Sequence, residues 1–121
     1  MRWSAREAEM FVYVAGPYTL GDVVQNVRAA CAAAEAIVRA GHTPFVPHLC
    51  HLWHLVSPHH HEYWMDYDRA WLEKCDVVVR LVGDSRGADI ECARAAELGI
   101  PVMSLEDCLA LPVGGLVVEP R

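Results

Sequence analysis

Val77-Val78-Val79-Arg80-Leu81-Val82, the turn Gly83-Asp84-Ser85-Arg86, and Gly87-Ala88-Asp89-Ile90-Glu91 together form the stretch that decides the fold. A short, nearly unbroken apolar run bounded by turn residues reads as a strand buried on both faces. From Gly87 to Leu98 the spacing becomes helical, and Gly99 ends it. A strand feeding a helix through a short loop is half of a βαβ unit, and open α/β sheets bind ligands at the carboxyl ends of their strands. Glu91 is expected at that end, in the first turn of the helix. It shares a helical face with Ala88, Ala95 and Leu98, at offsets of three, four and seven. A charge on an apolar stripe requires a compensating interaction, because unpaired burial is costly.

Outward from this unit the pattern repeats. Phe11-Val12-Tyr13-Val14-Ala15 reads as a first strand and Gly16-Pro17-Tyr18-Thr19-Leu20-Gly21 as its turn. Asp22 and Gln25 approximate a capping box, and Val23, Val27, Ala30, Cys31, Ala34, Ile37 and Val38 mark one face of a helix that stops at Gly41. Thr43-Pro44-Phe45-Val46 is a short second strand whose proline suits an edge. A loop rich in His and Pro is expected from Pro47 to His61, then a helix from about His61 to Lys74. Ile100-Pro101-Val102-Met103 is a fourth strand, Ser104-Leu105-Glu106-Asp107 starts a short helix, and Leu116-Val117-Val118 is a candidate fifth strand. This alternation predicts an α/β fold: one flavodoxin-like or Rossmann-like domain over residues 1–121, with its core in about 11–118. The expected strand order is 2-1-3-4-5, with helices on both faces. That order brings the Gly16–Gly21 and Gly83–Gly87 loops together, each feeding a helix N-terminus with free N–H donors.

Composition narrows the function. The chain has 121 residues, 54% of them hydrophobic, and a mean hydropathy of +0.16, which argue for a packed core rather than disorder. No apolar run reaches the roughly 18 residues of a membrane span, and Met1-Arg2-Trp3-Ser4-Ala5-Arg6 lacks a signal peptide's apolar core. Five cysteines, scattered and without a CxxC pair, fit reduced thiols in a cytoplasmic protein. A net charge of -6 disfavours a nucleic-acid polymer as partner but not a small anion held by backbone N–H groups.

The candidate chemistry lies in acids and rings. Tyr63, Trp64, Tyr67 and Trp71 crowd the third helix, and Asp68 shares the inward face while Asp66 faces out. A carboxylic acid among aromatic rings tends towards a raised pKa, which suits a general acid. Two carboxylates in unlike settings around one cleft make a plausible machine for glycosidic bonds. Plainer readings stand beside these. Glu91 is also the acid a helix N-terminus favours, Asp68 is free to pair with an arginine, and the aromatic stripe reads as core before it reads as a base platform. Tyr13 alternates with Val12 and Val14 and is equally a strand residue with a satisfied hydroxyl. His48, His51 and His54, beside Cys50, invite a metal reading, but Pro47 and Pro58 bracket them and no H-E-x-x-H helix appears. The loop is expected to line or cover the cleft, with no metal.

Taken together, Tyr13-Val14-Ala15-Gly16-Pro17-Tyr18, Asp68-Arg69-Ala70-Trp71-Leu72 leading into Cys75-Asp76, Ser85-Arg86-Gly87-Ala88-Asp89-Ile90-Glu91 and Gly99-Ile100-Pro101-Val102 form an ordered set over about residues 11–104. In this set the chain resembles the nucleoside 2-deoxyribosyltransferase-like superfamily, including the 2'-deoxynucleoside 5'-phosphate N-hydrolases and CMP N-glycosidases, and most of all its short bacterial branch. The resemblance implies Glu91 as nucleophile, Asp68 in proton transfer at the base, and Tyr13 orienting the Glu91 carboxylate. Gly16, Pro17, Tyr18, Ser85, Arg86, Gly87, Asp89, His48 and Trp64 are the implied substrate contacts. It implies no cofactor, a small nucleoside or nucleotide as partner, no membrane, and a homodimer or larger homo-oligomer with sites completed across the interface. Transferases of this group carry Asp at the position of Ser85, whereas the phosphate-specific hydrolases carry Ser. A hydroxyl and a helix N-terminus accept a 5'-phosphate that an aspartate repels. Asp84 and Asp89 add negative charge nearby, and the His48/His51/Trp53 segment has no counterpart in those hydrolases, so the base stays open. The expected activity is hydrolysis of a (deoxy)nucleoside 5'-monophosphate. The alternatives are base exchange between deoxynucleosides and a non-catalytic nucleotide sensor.

Overall fold

Side-chain alternation along two valine-rich strands builds the core in two halves. The computed structural model describes residues 9–111. Strands β1 (Phe11–Ala15) and β3 (Val77–Arg80) lie side by side at the centre of a four-stranded parallel sheet. Strand β2 (Thr43–Phe45) flanks β1 and β4 (Val102–Met103) flanks β3, giving the order β2-β1-β3-β4. This is the expected order as far as the fourth strand; Leu116–Val118 lie outside the described residues. Pro44, which cannot donate to a ladder, falls on edge strand β2.

Because the pleat has a period of two, Val12, Val14, Val77 and Val79 point to one face. There they meet Ala30 and Ile37 of α1 (Val23–Arg39) and Cys108 of α5 (Leu105–Leu109). Tyr13, Ala15 and Val78 point the other way, against Leu72 of α3 (His61–Leu72) and Ala88 and Ala95 of α4 (Arg86–Glu97). Each fully buried Val, Ile or Leu contributes about 1.5–3 kcal/mol of burial free energy. The alanines let α4 approach the sheet closely, and that closeness brings Glu91 to Tyr13.

Local chemistry sets the helix starts. Asp22 accepts from the Gln25 N–H at 3.2 Å, Ser85 from Ala88 at 3.1 Å and Ser104 from Asp107 at 3.0 Å. Capping by Ser85 starts α4 at Arg86, so Glu91 is its sixth residue. It therefore sits in the second turn rather than the expected first. Asp76 ties the start of β3 to β1 by exchanging two hydrogen bonds with Phe11, both 2.8 Å. The segment expected as a loop between Pro47 and His61 is largely helical: a 3-10 turn at Pro47–Leu49 runs into α2 (Cys50–Val56). Pro47 occupies the first helical position, where its missing N–H costs nothing, and no glycine interrupts the seven residues of α2. Prolines that suggested a loop instead bracket a short helix.

Candidate active site

Neighbouring strands β1 and β3 deliver their following loops to one place. Gly83 adopts a φ of +113°, and a Cβ there would meet Pro17 Cγ at 2.7 Å, so the two loops touch where only glycine fits. Asn26 of α1 holds the first loop by donating to the carbonyls of Tyr18 and Leu20, both at 2.9 Å. His48 Nε2 donates to the carbonyl of Pro17 at 2.9 Å. Between these loops, α2, α3 and α4 lies a cleft of about 900 Å³.

Tyr13, wholly buried, reaches from β1 towards α4, and its hydroxyl donates to Glu91 Oε2 at 2.5 Å. Glu91 lines the cleft. Burial raises its pKa above the usual range, while the Tyr13 hydrogen bond and the positive charge of Arg80 pull it back down. The Tyr13 phenol is driven strongly upward by burial and by the neighbouring Glu91 and Asp68 charges, so it remains a donor at any ordinary pH. Asp68 enters from α3. Burial, and then the Glu91 charge, push its carboxyl up to about 7. Its Oδ1 is buried without a hydrogen-bond partner among the described residues. Among the described residues no arginine pairs with it, whereas outward-facing Asp66 pairs with Arg69 at 3.7 Å. Arg94 bridges Glu73 at the end of α3 and Glu97 on α4, at 3.0 and 3.2 Å, and so ties together the helices that carry the two acids.

Most of the residues singled out in the sequence converge here. Gly16, Tyr18, His48, Trp64, Asp68, Ser85, Arg86, Gly87 and Glu91 line the cleft, and Tyr13 stands behind Glu91. Ser85 Oγ accepts from Ala88, which leaves its own hydroxyl proton free to donate. Pro17 lies behind the lining, braced against Gly83. Asp89 also stands outside it, its carboxylate 3.0 Å from Arg80 Nη2. Arg80 further donates to the carbonyls of Leu81 and Gly83, clasping the β3–α4 loop to α4. The sequence reading passed over Arg80, although a lone cation in a run of valines was the signal. His51 and His54 of α2, with His59, line the cleft, as expected of the His-rich segment, and so does Met65, which the sequence did not single out. Among the described residues no group of three or more His, Cys, Asp or Glu side chains is placed to hold a metal ion. No helix there is long and apolar enough to cross a membrane.

Comparison with known proteins agrees with this architecture. No protein of curated function matches the sequence. A solved structure of the 2-deoxyribosyltransferase from the psychrotolerant bacterium Bacillus psychrosaccharolyticus superposes with a TM-score of 0.60 at 18% identity, over 90% of this chain and 77% of that one. The likeness is one of fold: a parallel sheet between helices. A family profile described as Domain of unknown function (DUF7768) matches residues 10–105, a span that contains every candidate site residue, and the chain belongs to that family.

Proposed function

We propose that the protein is an enzyme that hydrolyses the N-glycosidic bond of a nucleoside or deoxynucleoside 5'-monophosphate, with Glu91 as nucleophile. The observation that carries this reading is the convergence of three groups from distant segments. A phenol donates to a carboxylate, and a second carboxyl, whose burial favours its protonated form, faces the same cleft. The Glu91 carboxylate, held by Tyr13, attacks the anomeric carbon. As the carbon–nitrogen bond breaks, its electron pair passes to the base and Asp68 supplies the proton. Asp68, now a carboxylate, takes a proton from water, which displaces Glu91 from the sugar and leaves the anomeric configuration retained. Asp68 at about 7 is well matched to both directions of proton transfer near neutral pH. Ser85, Arg86 and the N-terminus of α4 receive the 5'-phosphate. No metal or organic cofactor has a part in these steps.

Base exchange between deoxynucleosides is the second reading, favoured by the fold shared with a 2-deoxyribosyltransferase. Both follow the same first step and differ in whether water or a second base takes the sugar. Chromatography of a panel of nucleosides and monophosphates distinguishes them. Free base formed without an added acceptor supports hydrolysis, and product only with a second base supports transfer. Binding without product supports a sensor. Glu91→Ala abolishes turnover in either catalytic reading, and unchanged turnover in that variant removes Glu91 from its role. The reading extends to a one-domain cytoplasmic protein, consistent with five unpaired cysteines, that works as a homodimer or larger homo-oligomer. A groove of about 500 Å³ between α3 and α4 shares Glu91 with the cleft.

A further inference from the structure

Trp64 Nε1 donates to His54 Nδ1 at 2.7 Å, and the backbone N–H of His59 donates to the same atom at 3.2 Å. An indole nitrogen and a peptide nitrogen can only donate, so Nδ1 is an acceptor and the neutral ring keeps its proton on Nε2. That nitrogen has no partner among the described residues, and His54 lines the cleft. The lock is itself supported. Trp64 packs edge-on against Trp53 and Tyr63, with ring centroids 5.0 Å apart in each case. His59 stacks on Tyr63 at 3.8 Å and 14°, which holds the second donor in place.

We infer that His54 is a second donor to the departing base, its Nε2–H hydrogen-bonding a carbonyl oxygen or an unprotonated ring nitrogen of that base. This rests on the glycosidase reading. When the carbon–nitrogen bond breaks, negative charge spreads over the oxygen and nitrogen atoms of the base. A fixed donor stabilises that charge without giving up its proton. The proton itself still comes from Asp68, and His54 ends the step unchanged. The tautomer decides the chemistry: with the Nδ1 lone pair already shared between two donors, the ring can turn only a donor to the substrate. The recognised ligand class is therefore a nucleobase presenting an acceptor edge.

The test combines nitrogen NMR of 15N-histidine-labelled protein with kinetics. The expected spectrum shows His54 with Nε2 protonated and Nδ1 bare, and saturation with a hydrolysed nucleotide shifts Nε2. Trp64→Phe, which removes one of the two locking donors, moves His54 towards a mixture of tautomers. His54→Leu is expected to lower kcat about 10- to 100-fold with a smaller change in KM, while His54→Gln, which keeps an N–H donor, recovers part of the loss. A proton on Nδ1 overturns the inference. Equal losses in the Leu and Gln variants, tracking their thermal stability, also overturn it, because they mark a purely structural role. A nucleotide that is hydrolysed without disturbing Nε2 defeats this inference and leaves the glycosidase reading intact. Failure of every nucleotide to bind or react defeats both.

Discussion

Asp68→Asn tests whether the fold truly holds a carboxyl in a hostile setting. The structure raises Asp68 from its ordinary 3.8 to about 7, chiefly by burial and secondly by the Glu91 charge. A displacement of that size corresponds to about 4 kcal/mol between the protonated and ionised forms. The folded state binds this proton more tightly than the unfolded chain does. Its stabilising effect is therefore complete below about pH 4, declines as pH rises, and is gone above about 7. Between pH 5 and pH 8 the wild type should lose about 2.5 kcal/mol from this group. Asn has the same shape but no proton to lose, so the variant should lack that decline. Urea unfolding at intervals between these pH values gives both curves, and their difference removes titrations common to the two proteins. The variant should gain on the wild type as pH rises. Parallel curves would refute the claim that Asp68 is held protonated, and with it the general-acid role. On activity the same change should remove proton donation, a loss of about 10²- to 10⁴-fold in kcat.

Other expectations follow from neighbouring contacts. The wild-type kcat/KM should fall above about pH 7 as Asp68 ionises and on the acid side as Glu91 protonates; a profile that keeps rising past pH 8 contradicts the assignment. Tyr13→Phe deletes the donor that draws Glu91 downward, so the acid limb should move to higher pH, with about a 10- to 100-fold loss in kcat/KM. An unmoved limb would show that the phenol does not act on Glu91. Gly83→Ala combines a positive φ with a Cβ 2.7 Å from Pro17 and should cost about 1–3 kcal/mol in thermal unfolding. Arg80→Met should raise the Glu91 pKa and loosen the β3–α4 loop, seen as faster amide exchange across residues 81–85. Its exposed partner Asp89 should matter less, since such an ion pair is worth under about 1 kcal/mol.

Periodicity carried the sequence reading furthest where burial is strongest. Val12, Val14, Val77 and Val79 alternate with Tyr13, Ala15 and Val78, and a period of two admits one sheet with two faces. Asp22 announced α1 and Ser104 announced α5, because capping depends on residues three apart in the chain, whereas the cap of α4 by Ser85 emerged only in the structure. The segment after Pro47 is helical where a loop is expected, for the converse reason. The leucines of α2 are exposed and carry no burial pattern, and proline punctuates both loops and helix starts. The histidines of α2 line the cleft as expected, but from a helix rather than a loop.

What the sequence determined by itself was the succession of strands and helices, since local propensity and patterning act over a few residues. What only the tertiary structure decided was the company that Asp68 and Glu91 keep. Tyr13 and Glu91 are 78 residues apart. Their hydrogen bond exists because β1 lies beside β3 and small alanines let α4 settle onto the sheet. The raised pKa of Asp68, the clasp of Arg80 on its loop and the fixed tautomer of His54 have the same origin. Each depends on which groups are desolvated together, and desolvation is a property of packing in three dimensions.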